Sequence, residues 1–525
     1  MKKIAFLMAL LLVVSCLLLA ACDDTAEEAS APSNTSSVST AESSSFVSAE
    51  DSSAPSEDSS EPSEEDSRPV SKYHDENGLY TLENLEMPEF SFAKKTFTVC
   101  VYNNKLQTTF YSDEFQSSAQ GLLGEAVRVR NNLIKERYGV EIKAYSVDDV
   151  YSALSKSIIS GNVEFDAVMP FAPQGFSMAQ NQMLMALDGF ADYIHLDAPW
   201  WDANATEAFA VGGRQYFAVG DISLGQKRST RVLLYNRTMY DSLCQKKYGD
   251  LYTVVSDGEW TLDLMLELCE NVTKDVNEDG FMTVSDRWGM VGTDSVDPFF
   301  ESAGYRWLGM DSKGLLAVNE ALEGHYSYGD IVAQSFLYGD WYLNTQRYRG
   351  DLEGNNVWDI AIGTFGKGNA LLYSTLAGEI DKVQKYDVEY GILPFPKESA
   401  TQEAYYAPCS LSTVSVIAIP AGVKDPAFSA YMLEVLACEG GNYLQPAYYT
   451  TLMDPAVLTE IPALELLVAS FANVNYDLIN LNQINLGNVI RSVVNENFLD
   501  NTEKNWTAIQ STLQQKLSEF NENFA

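Results

Sequence analysis

The chain has 525 residues, enough for two or three lobes with large hydrophobic cores. Its formal net charge is -39, and residues 72–525 still carry -29 once the acidic segment before them and the two N-terminal lysines are set aside. A chain this acidic repels nucleic acid and anionic lipid headgroups, so neither is expected as a partner. Neutral and cationic small molecules remain open as ligands. The 12% aromatic content is compatible with a sugar, although most of these rings are expected in the core.

The N-terminus carries an export signal. Lys2 and Lys3 precede an apolar run that ends in small residues, which predicts a secretory signal peptide over residues 1–21 rather than a spanning helix. The sequence Leu-Ala-Ala-Cys, ending at Cys22, resembles the bacterial lipobox. That resemblance implies a lipid on Cys22 and attachment to the outer face of the cell membrane, most simply in a Gram-positive bacterium. The alternative is an ordinary secreted protein with a chance cysteine at the cut site.

Residues 22–71 are rich in Ser, Glu, Asp, Thr, Ala and Pro, with few large apolar side chains. Such a segment cannot bury enough apolar surface to offset its chain entropy, so we expect a disordered tether. As a random coil of ~50 residues it spans ~40 Å, and its own charge extends it further.

Five cysteines remain beyond the signal and the lipidation site, and they are odd in number and scattered: Cys100, Cys244, Cys269, Cys409 and Cys438. We therefore expect no disulfide framework, and no pair has the spacing of metal ligands.

Strand and helix patterns alternate from Phe97 onward. Residues 97–102, 140–145 and 165–169 read as strands, and residues 125–138 and 147–160 read as helices that end at glycines. This alternation predicts an α/β fold with a parallel, covered sheet. No glycine-rich phosphate-binding motif is present.

Ligands bind such sheets outside the carboxyl ends of the strands, so residues 102–104 and 169–171 are the first candidate contacts. Among them we predict Met169 and Phe171 as ligand-binding residues. Trp200, Trp201 and Asp202 form a second candidate. In an extended segment the two tryptophans would point to opposite sides, so we expect one ring on a surface or in a cleft, with a carboxylate beside it for sugar hydroxyls. The alternative is that both rings fasten the loop onto the domain.

The middle of the chain resembles the extracellular solute-binding proteins that deliver ligands to ABC importers, in the branch typified by maltose- and oligosaccharide-binding proteins. Five segments in order carry the resemblance: Phe217-Ala-Val-Gly-Asp221, Tyr235-Asn-Arg237, Gly258-Glu-Trp-Thr261, Asp286-Arg-Trp-Gly289 and Tyr390-Gly-Ile-Leu-Pro-Phe-Pro-Lys397.

The resemblance implies a two-lobed periplasmic-binding-protein-like fold of type II, with a ligand cleft between hinge-connected lobes. Residues 72–225 and 391–440 would form the first lobe, and residues 226–390 and 441–525 the second. It further implies a monomer that passes a small molecule to permease subunits. The cleft residues that it suggests in the second lobe are Asp297, Phe299 and Tyr373. Trp307, just beyond Phe299, and Arg228, a cation near a hinge, are further candidates, although Phe299 and Trp307 could instead be lobe core.

Residues 275–286 match the spacing of a calcium loop. Oxygen-bearing residues stand at positions 1, 3, 5, 9 and 12, a backbone carbonyl at position 7, and a glycine at position 6. The predicted ligands of one structural Ca²⁺ are Asp275, Asn277, Asp279, Phe281 through its carbonyl, Thr283 and Asp286. The last position is Asp where an EF-hand has Glu, and an acidic turn without metal is the alternative.

Two other functions stay open at this point. A surface glycan hydrolase would need two carboxylates ~5–10 Å apart, but no motif nominates a pair. The three histidines lie in no H-E-x-x-H pattern and none is near a G-x-S-x-G elbow. A sensor or adhesin would share the binding fold. We therefore predict a binding protein without catalytic activity, most plausibly for carbohydrate, with a peptide or other solute as the alternative ligand.

Overall fold

The computed structural model describes most of the chain after Val70. The described residues are 71–88, 96–103, 114–116, 121–293, 297–319, 339–346, 356–452, 461–481 and 502–522, with isolated positions between 328 and 336 and at 524. The predicted signal peptide, the tether up to residue 70 and the lipidation site at Cys22 lie outside them.

The first lobe is built on a parallel three-stranded sheet in the order β2-β1-β3. The predicted strands and helices are present, and Gly139 and Gly161 end two helices in the left-handed conformation, with φ of 67° and 71°. Its elements are β1 (Thr96–Tyr102), α1 (Leu122–Tyr138), β2 (Glu141–Val147), α2 (Val150–Ser160), β3 (Ala167–Val168), α3 (Ala172–Gln180), α4 (Ala203–Phe209) and α5 (Gly225–Ser229).

The second lobe contains a five-stranded mixed sheet in the order β10-β4-β9-β5-β8. Strands β5, β8 and β9 are parallel to one another, and β4 is antiparallel to β9 and β10. Its elements are β4 (Arg231–Asn236), α6 (Arg237–Leu243), α7 (Gln245–Tyr248), α8 (Leu251–Ser256), α9 (Leu262–Val272), β5 (Trp288–Gly292), α10 (Asp297–Ser302), β6 (Leu308–Met310), β7 (Leu316–Val318), β8 (Tyr342–Asn344), α11 (Val357–Gly366), β9 (Ala370–Leu376) and β10 (Tyr390–Leu393).

Three segments connect the lobes. The chain enters the second lobe at Thr230 and returns through Cys409, and these two residues form an antiparallel bridge. A long helix makes the third crossing, running from the core of the first lobe into that of the second through a π-helical turn at Gly440–Leu444. The remaining elements are β11 (Ala407–Pro408), α12 (Pro426–Glu439), α13 (Gln445–Leu452), α14 (Ile461–Ala472), β12 (Val474–Asn475) and α15 (Thr502–Asn521).

Two features of the structure bear on the predicted lobe boundaries. The boundary at 391 falls inside β10, which pairs with β4 in the second-lobe sheet. The end of α15, predicted in the second lobe, contacts the first: Gln180 donates to the Phe520 carbonyl at 3.2 Å, and the rings of Phe176 and Phe520 lie 6.2 Å apart. Asn521 also bonds β7 through Leu316, so α15 touches both lobes.

The five cysteines beyond the predicted lipidation site are free and buried. Within the described part of the chain, no helix combines the length and the apolar character needed to cross a bilayer.

Candidate ligand-binding cleft

The carboxyl edges of the two sheets meet at the crossing segments. In the first lobe Phe171, just after β3, pairs with Ser415, and Ser410 donates to the Ser229 carbonyl at 2.9 Å. In the second lobe β4 begins at Arg231, opposite the end of β9 at Leu376. Both edges therefore adjoin the same hinge, and the space between them is the candidate ligand cleft.

An aromatic pair forms the first-lobe side of this cleft. Tyr102 ends β1 and Phe171 follows β3, and their rings stack with centroids 5.0 Å apart and planes 19° apart. Both side chains are only partly buried. A flat, partly exposed pair of rings at the carboxyl edge offers an apolar face to a ligand.

Polar groups surround the pair. The Tyr102 hydroxyl hydrogen-bonds Gln174 Oε1, and Gln174 Nε2 donates to Asp149 Oδ2 at 3.0 Å. Partial burial favours the neutral form of Asp149, but hydrogen bonds from Ser152 and Gln174 outweigh it and hold the pKa of this carboxyl below its ordinary value. The first-lobe edge thus combines an aromatic surface with an oriented amide and an ionised carboxylate.

Polar residues also end the second-lobe strands. Thr293 follows β5, Asn344 ends β8, and Asp297 begins α10 a few residues beyond β5. Asp297 and Asn344 are partly exposed, as is Arg231 at the start of β4. Asp297 thus begins the helix that follows the carboxyl end of β5, and its place in the cleft stays a prediction.

The predicted cleft residue Arg228 faces the hinge instead. Its Nη1 lies 3.6 Å from Glu114 Oε1, and its guanidinium lies 5.8 Å from the ring centroid of Tyr448 on the third crossing. Neighbouring Lys227 contacts Asp221 at 3.0 Å. Although burial opposes its charge, that carboxylate raises the pKa of Lys227 above its usual range. These cations hold the crossing segments together.

The prediction that one of the paired tryptophans faces a cleft is wrong for this structure. Trp201 N donates to the Ala198 carbonyl at 3.0 Å, so the segment turns and its side chains do not alternate. Trp200 is fully buried, with its ring 5.5 Å from that of Tyr73 and 5.7 Å from that of Tyr80. Trp201 is buried as well and donates from Nε1 to the buried Glu434 at 2.8 Å.

This arrangement explains Gly220 in the predicted crossing motif. A Cβ at Gly220 would lie 2.3 Å from the Trp200 carbonyl oxygen and 2.7 Å from the Trp201 ring, so only glycine fits against the tryptophan loop. Both rings therefore fasten the loop onto the first lobe, as the alternative interpretation holds.

Four further predicted contacts are core residues here, and each has a packing reason. Met169 lies in the first-lobe core. Phe299 packs against Phe336 and Phe395, and Trp307 stacks on Phe300 with centroids 4.4 Å apart. Tyr373 occupies the middle of β9 between β4 and β5, so its ring packs inside the lobe against Phe365. These four residues therefore pack inside the lobes and do not form the cleft wall, contrary to what the sequence suggests.

Asp202 is not aimed at the cleft either. Its side chain caps α4 by accepting from Ala205 N at 3.0 Å and also accepts from the Tyr476 hydroxyl at 2.7 Å. Burial raises the pKa of Asp202 despite these bonds. The residue joins the first lobe to the segment after α14.

Gln174 and Asp149 are the polar cleft residues that the sequence does not reveal. Asp149 has a capping signature, since it accepts from Ser152 N at 2.6 Å, but that signature marks a helix start and not a ligand. Gln174 lies inside α3 and only the fold brings it beside Tyr102.

The predicted calcium loop lies at the amino end of β5, away from the cleft edge of that sheet. Its carboxylates bind the loop's own backbone: Asp275 accepts from Glu278 N and Gly280 N at 2.8 and 2.7 Å, and Asp286 from Val276 N and Thr283 N at 2.9 and 2.7 Å. Those bonds hold the pKa of Asp286 below its ordinary value. Among the described residues, no three His, Cys, Asp or Glu side chains are grouped so that they could hold a metal ion.

Two α/β lobes, three crossings and a polar-aromatic cleft at the hinge define a solute-binding protein. The sequence profile of the bacterial extracellular solute-binding protein family matches residues 113–435, and the chain belongs to this family. Its membership confirms the prediction of a binding protein rather than an enzyme. Among curated proteins, no sequence matches.

The chain is also similar to several solved structures. A cyclo/maltodextrin-binding protein complexed with maltotetraose is 12% identical, with a TM-score of 0.51, over 82% of this chain and 98% of that one. An ABC substrate-binding protein from Listeria monocytogenes in complex with cycloalternan is 14% identical, with a TM-score of 0.47, over 82% of this chain and 99% of that one. The maltose/maltodextrin-binding domain from Bdellovibrio bacteriovorus bound to maltotriose is 14% identical, with a TM-score of 0.44, over 81% of this chain and 99% of that one.

Proposed function

We propose that this protein captures a carbohydrate between its lobes and delivers it to the permease of an ABC importer. The observation that carries the proposal is the stacked Tyr102–Phe171 pair with Gln174 and Asp149 beside it at the hinge. Sugar rings have apolar C–H faces that pack on aromatic rings, and their hydroxyls pair with amides and carboxylates. The maltotetraose bound by the maltodextrin-binding protein of the same fold supports this ligand class.

The mechanism follows from the connections between the lobes. The Thr230–Cys409 bridge and the π-helical turn at Gly440–Leu444 are where small backbone changes would rotate one lobe on the other. A sugar seated on Phe171 would gain contacts from Asp297 and Asn344 on closure. Those extra contacts are what favour the closed state, because a ligand shifts an equilibrium only through its differential affinity.

The proposal includes lipid attachment at Cys22, which a signal peptide over residues 1–21 and an acidic tether over residues 22–71 support. The protein would then act as a monomer on the outer face of the cell membrane of a Gram-positive bacterium. Mass spectrometry of the N-terminal peptide from bacterial membranes tests this part. A diacylglyceryl mass on Cys22 is expected, and an unmodified Cys22 in the mature chain would contradict it.

A structural calcium ion at residues 275–286 is a further part of the proposal. It is supported by the ligand spacing alone, because the side chains of Asp275 and Asp286 are engaged with backbone N–H groups.

The test of the central function is a thermal-shift panel on the purified full chain with mono-, di- and oligosaccharides. A ligand at ~100 times its dissociation constant adds ~2.7 kcal/mol to the free energy of unfolding, which is visible as a higher Tm. Chromatography of the same mixtures should show the sugar unchanged. Sugar cleavage would instead identify a hydrolase, and stabilisation by peptides or cations alone would replace the ligand class.

A further inference from the structure

A second cavity lies between the two lobes, apart from the candidate cleft. It has a volume of about 330 Å³ and lies between α4 of the first lobe, the turn at 304–306 of the second lobe, and β12. Its lining includes Asn204, Glu207, Arg306, Tyr406, Asn473 and Asn475. Tyr102, Phe171 and Gln174 do not line it, so it is separate from the candidate cleft.

Two polar side chains in this cavity, Asn475 and Arg306, are held in place by hydrogen bonds. Asn475 Nδ2 donates to the carbonyls of Glu301 and Tyr305 at 2.8 and 2.9 Å, and its Oδ1 accepts from Arg306 Nε at 2.5 Å. The guanidinium is thereby oriented across the seam. Its Nη1 lies 3.8 Å from Glu207 Oε1, which is an ion pair beyond hydrogen-bond distance. The Glu207 side chain is 79% exposed, so its carboxylate oxygens have acceptor capacity left for a ligand.

An aromatic ring forms one wall. Tyr406 packs over Gly304, whose φ is +82°, and a Cβ there would lie 2.8 Å from the tyrosine ring. Glycine at 304 thus lets the ring sit directly on the backbone. Tyr406 and the α4 residues Asn204 and Glu207 line the same cavity.

We propose that this cavity is a second ligand site, for a neutral polyhydroxylated molecule of one or two sugar rings. The carboxylate and the guanidinium balance in charge, which favours a neutral ligand. The amides, Glu207 and Arg306 together supply both acceptors and donors for hydroxyl groups, and the Tyr406 ring supplies an apolar face. The volume is at the lower end of small-molecule sites, which suits a ligand no larger than a disaccharide.

This site goes beyond the proposed function and does not depend on it. Its walls come from both lobes, since Asn204 and Glu207 are in the first and Arg306 is in the second. Binding there is therefore coupled to the relative position of the lobes, and by reciprocity to binding in the cleft.

Isothermal titration calorimetry of the full chain with glucose and with maltose tests the proposal in a Phe171→Ala background, in which the cleft binds about tenfold more weakly. We expect one saturable binding event to keep its wild-type affinity with at least one of the sugars. Glu207→Gln should weaken it at least fivefold, and Asn204→Trp, which fills the cavity, should abolish it. The exposed Glu270→Gln on α9 is the matched control and should leave it unchanged.

The proposal is overturned if neither sugar binds the Phe171→Ala chain, or if binding there is unchanged by Glu207→Gln. Circular dichroism of each variant checks folding, and if Asn204→Trp does not fold, Glu207→Gln decides. Failure of the cleft proposal has a different signature, since no binding event of the wild-type chain would then be weakened by Phe171→Ala.

Discussion

The ring of Phe171 stacks on that of Tyr102 at 5.0 Å between centroids, although the two residues follow different strands and are 69 positions apart. The parallel pairing of β1 with β3 brings their carboxyl ends together, with Cys100 opposite Val168. The pair is then partly exposed beside the hinge, where both sheets end.

Removing the Phe171 ring tests its role in binding. Phe171→Ala should weaken sugar binding by about 1–2 kcal/mol, or roughly tenfold, because the ligand loses an apolar stacking face. Isothermal titration calorimetry measures the change. Phe281→Ala is the matched control, because Phe281 is exposed on the loop before β5 and away from the cleft edge. Equal affinity of the Phe171→Ala and wild-type chains would contradict the assignment.

The buried Trp201–Glu434 hydrogen bond predicts a stability effect without a binding effect. Trp201→Phe removes the Nε1 donor at 2.8 Å and leaves an acceptor of a fully buried carboxylate unpaired. We expect a loss of about 1–3 kcal/mol in the free energy of unfolding. Urea unfolding measures it, and Trp358→Phe, at a tryptophan that is 45% exposed, should cost far less. If the Trp201→Phe chain were as stable as the wild type but bound sugar more weakly, Trp201 would instead be a cleft residue.

The contact between His195 and Glu434 predicts a pH dependence. Their hydrogen bond at 3.1 Å raises the pKa of His195 above its ordinary value of 6.5. The folded state thus binds the proton more tightly than the unfolded state, and this stabilisation is complete below pH 6.5 and lost as pH rises through the raised pKa. It amounts to about 1.4 kcal/mol for each unit of pKa difference.

Urea titrations at stepped pH values compare the wild type with His195→Gln. The decline above pH 6.5 should be shallower in the variant. Parallel pH profiles for the two chains would show that His195 does not contribute.

Calcium is expected to stabilise the second lobe if residues 275–286 bind it. At about 100 times its dissociation constant, the ion should add about 2.7 kcal/mol to the free energy of unfolding, and a chelator should reverse this gain. Asp279→Asn should weaken the response, while Asp257→Asn, at an exposed site outside the loop, should not. A Tm that changes with neither calcium nor chelator would show that the loop is an acidic turn without metal.

Much of the fold could be predicted from the sequence because its signals are local. Helix ends at Gly139 and Gly161 need a left-handed residue, and Thr261 caps α9 by accepting from Leu264 N at 3.4 Å. The rule for parallel sheets points to Phe171, which follows β3 and is partly buried, as a candidate contact.

The cleft wall was harder to predict because exposure is decided by tertiary packing. The tryptophan pair was expected to alternate, but a turn at Ala198 and the neighbours Tyr73, Tyr80 and Glu434 bury both rings. Tyr373 has the sequence context of an edge residue, yet it lies between two strands. Gln174 has no local signal at all.

A crystal structure of the protein with a bound maltodextrin, such as maltotetraose, tests carbohydrate binding in the cleft most directly. We predict a sugar ring on the exposed face of the Tyr102–Phe171 pair, with hydroxyls bonded to Gln174 or Asp149 and to residues of the second-lobe edge. A sugar bound elsewhere with Phe171 bare, or no sugar at concentrations that saturate related binding proteins, would contradict it.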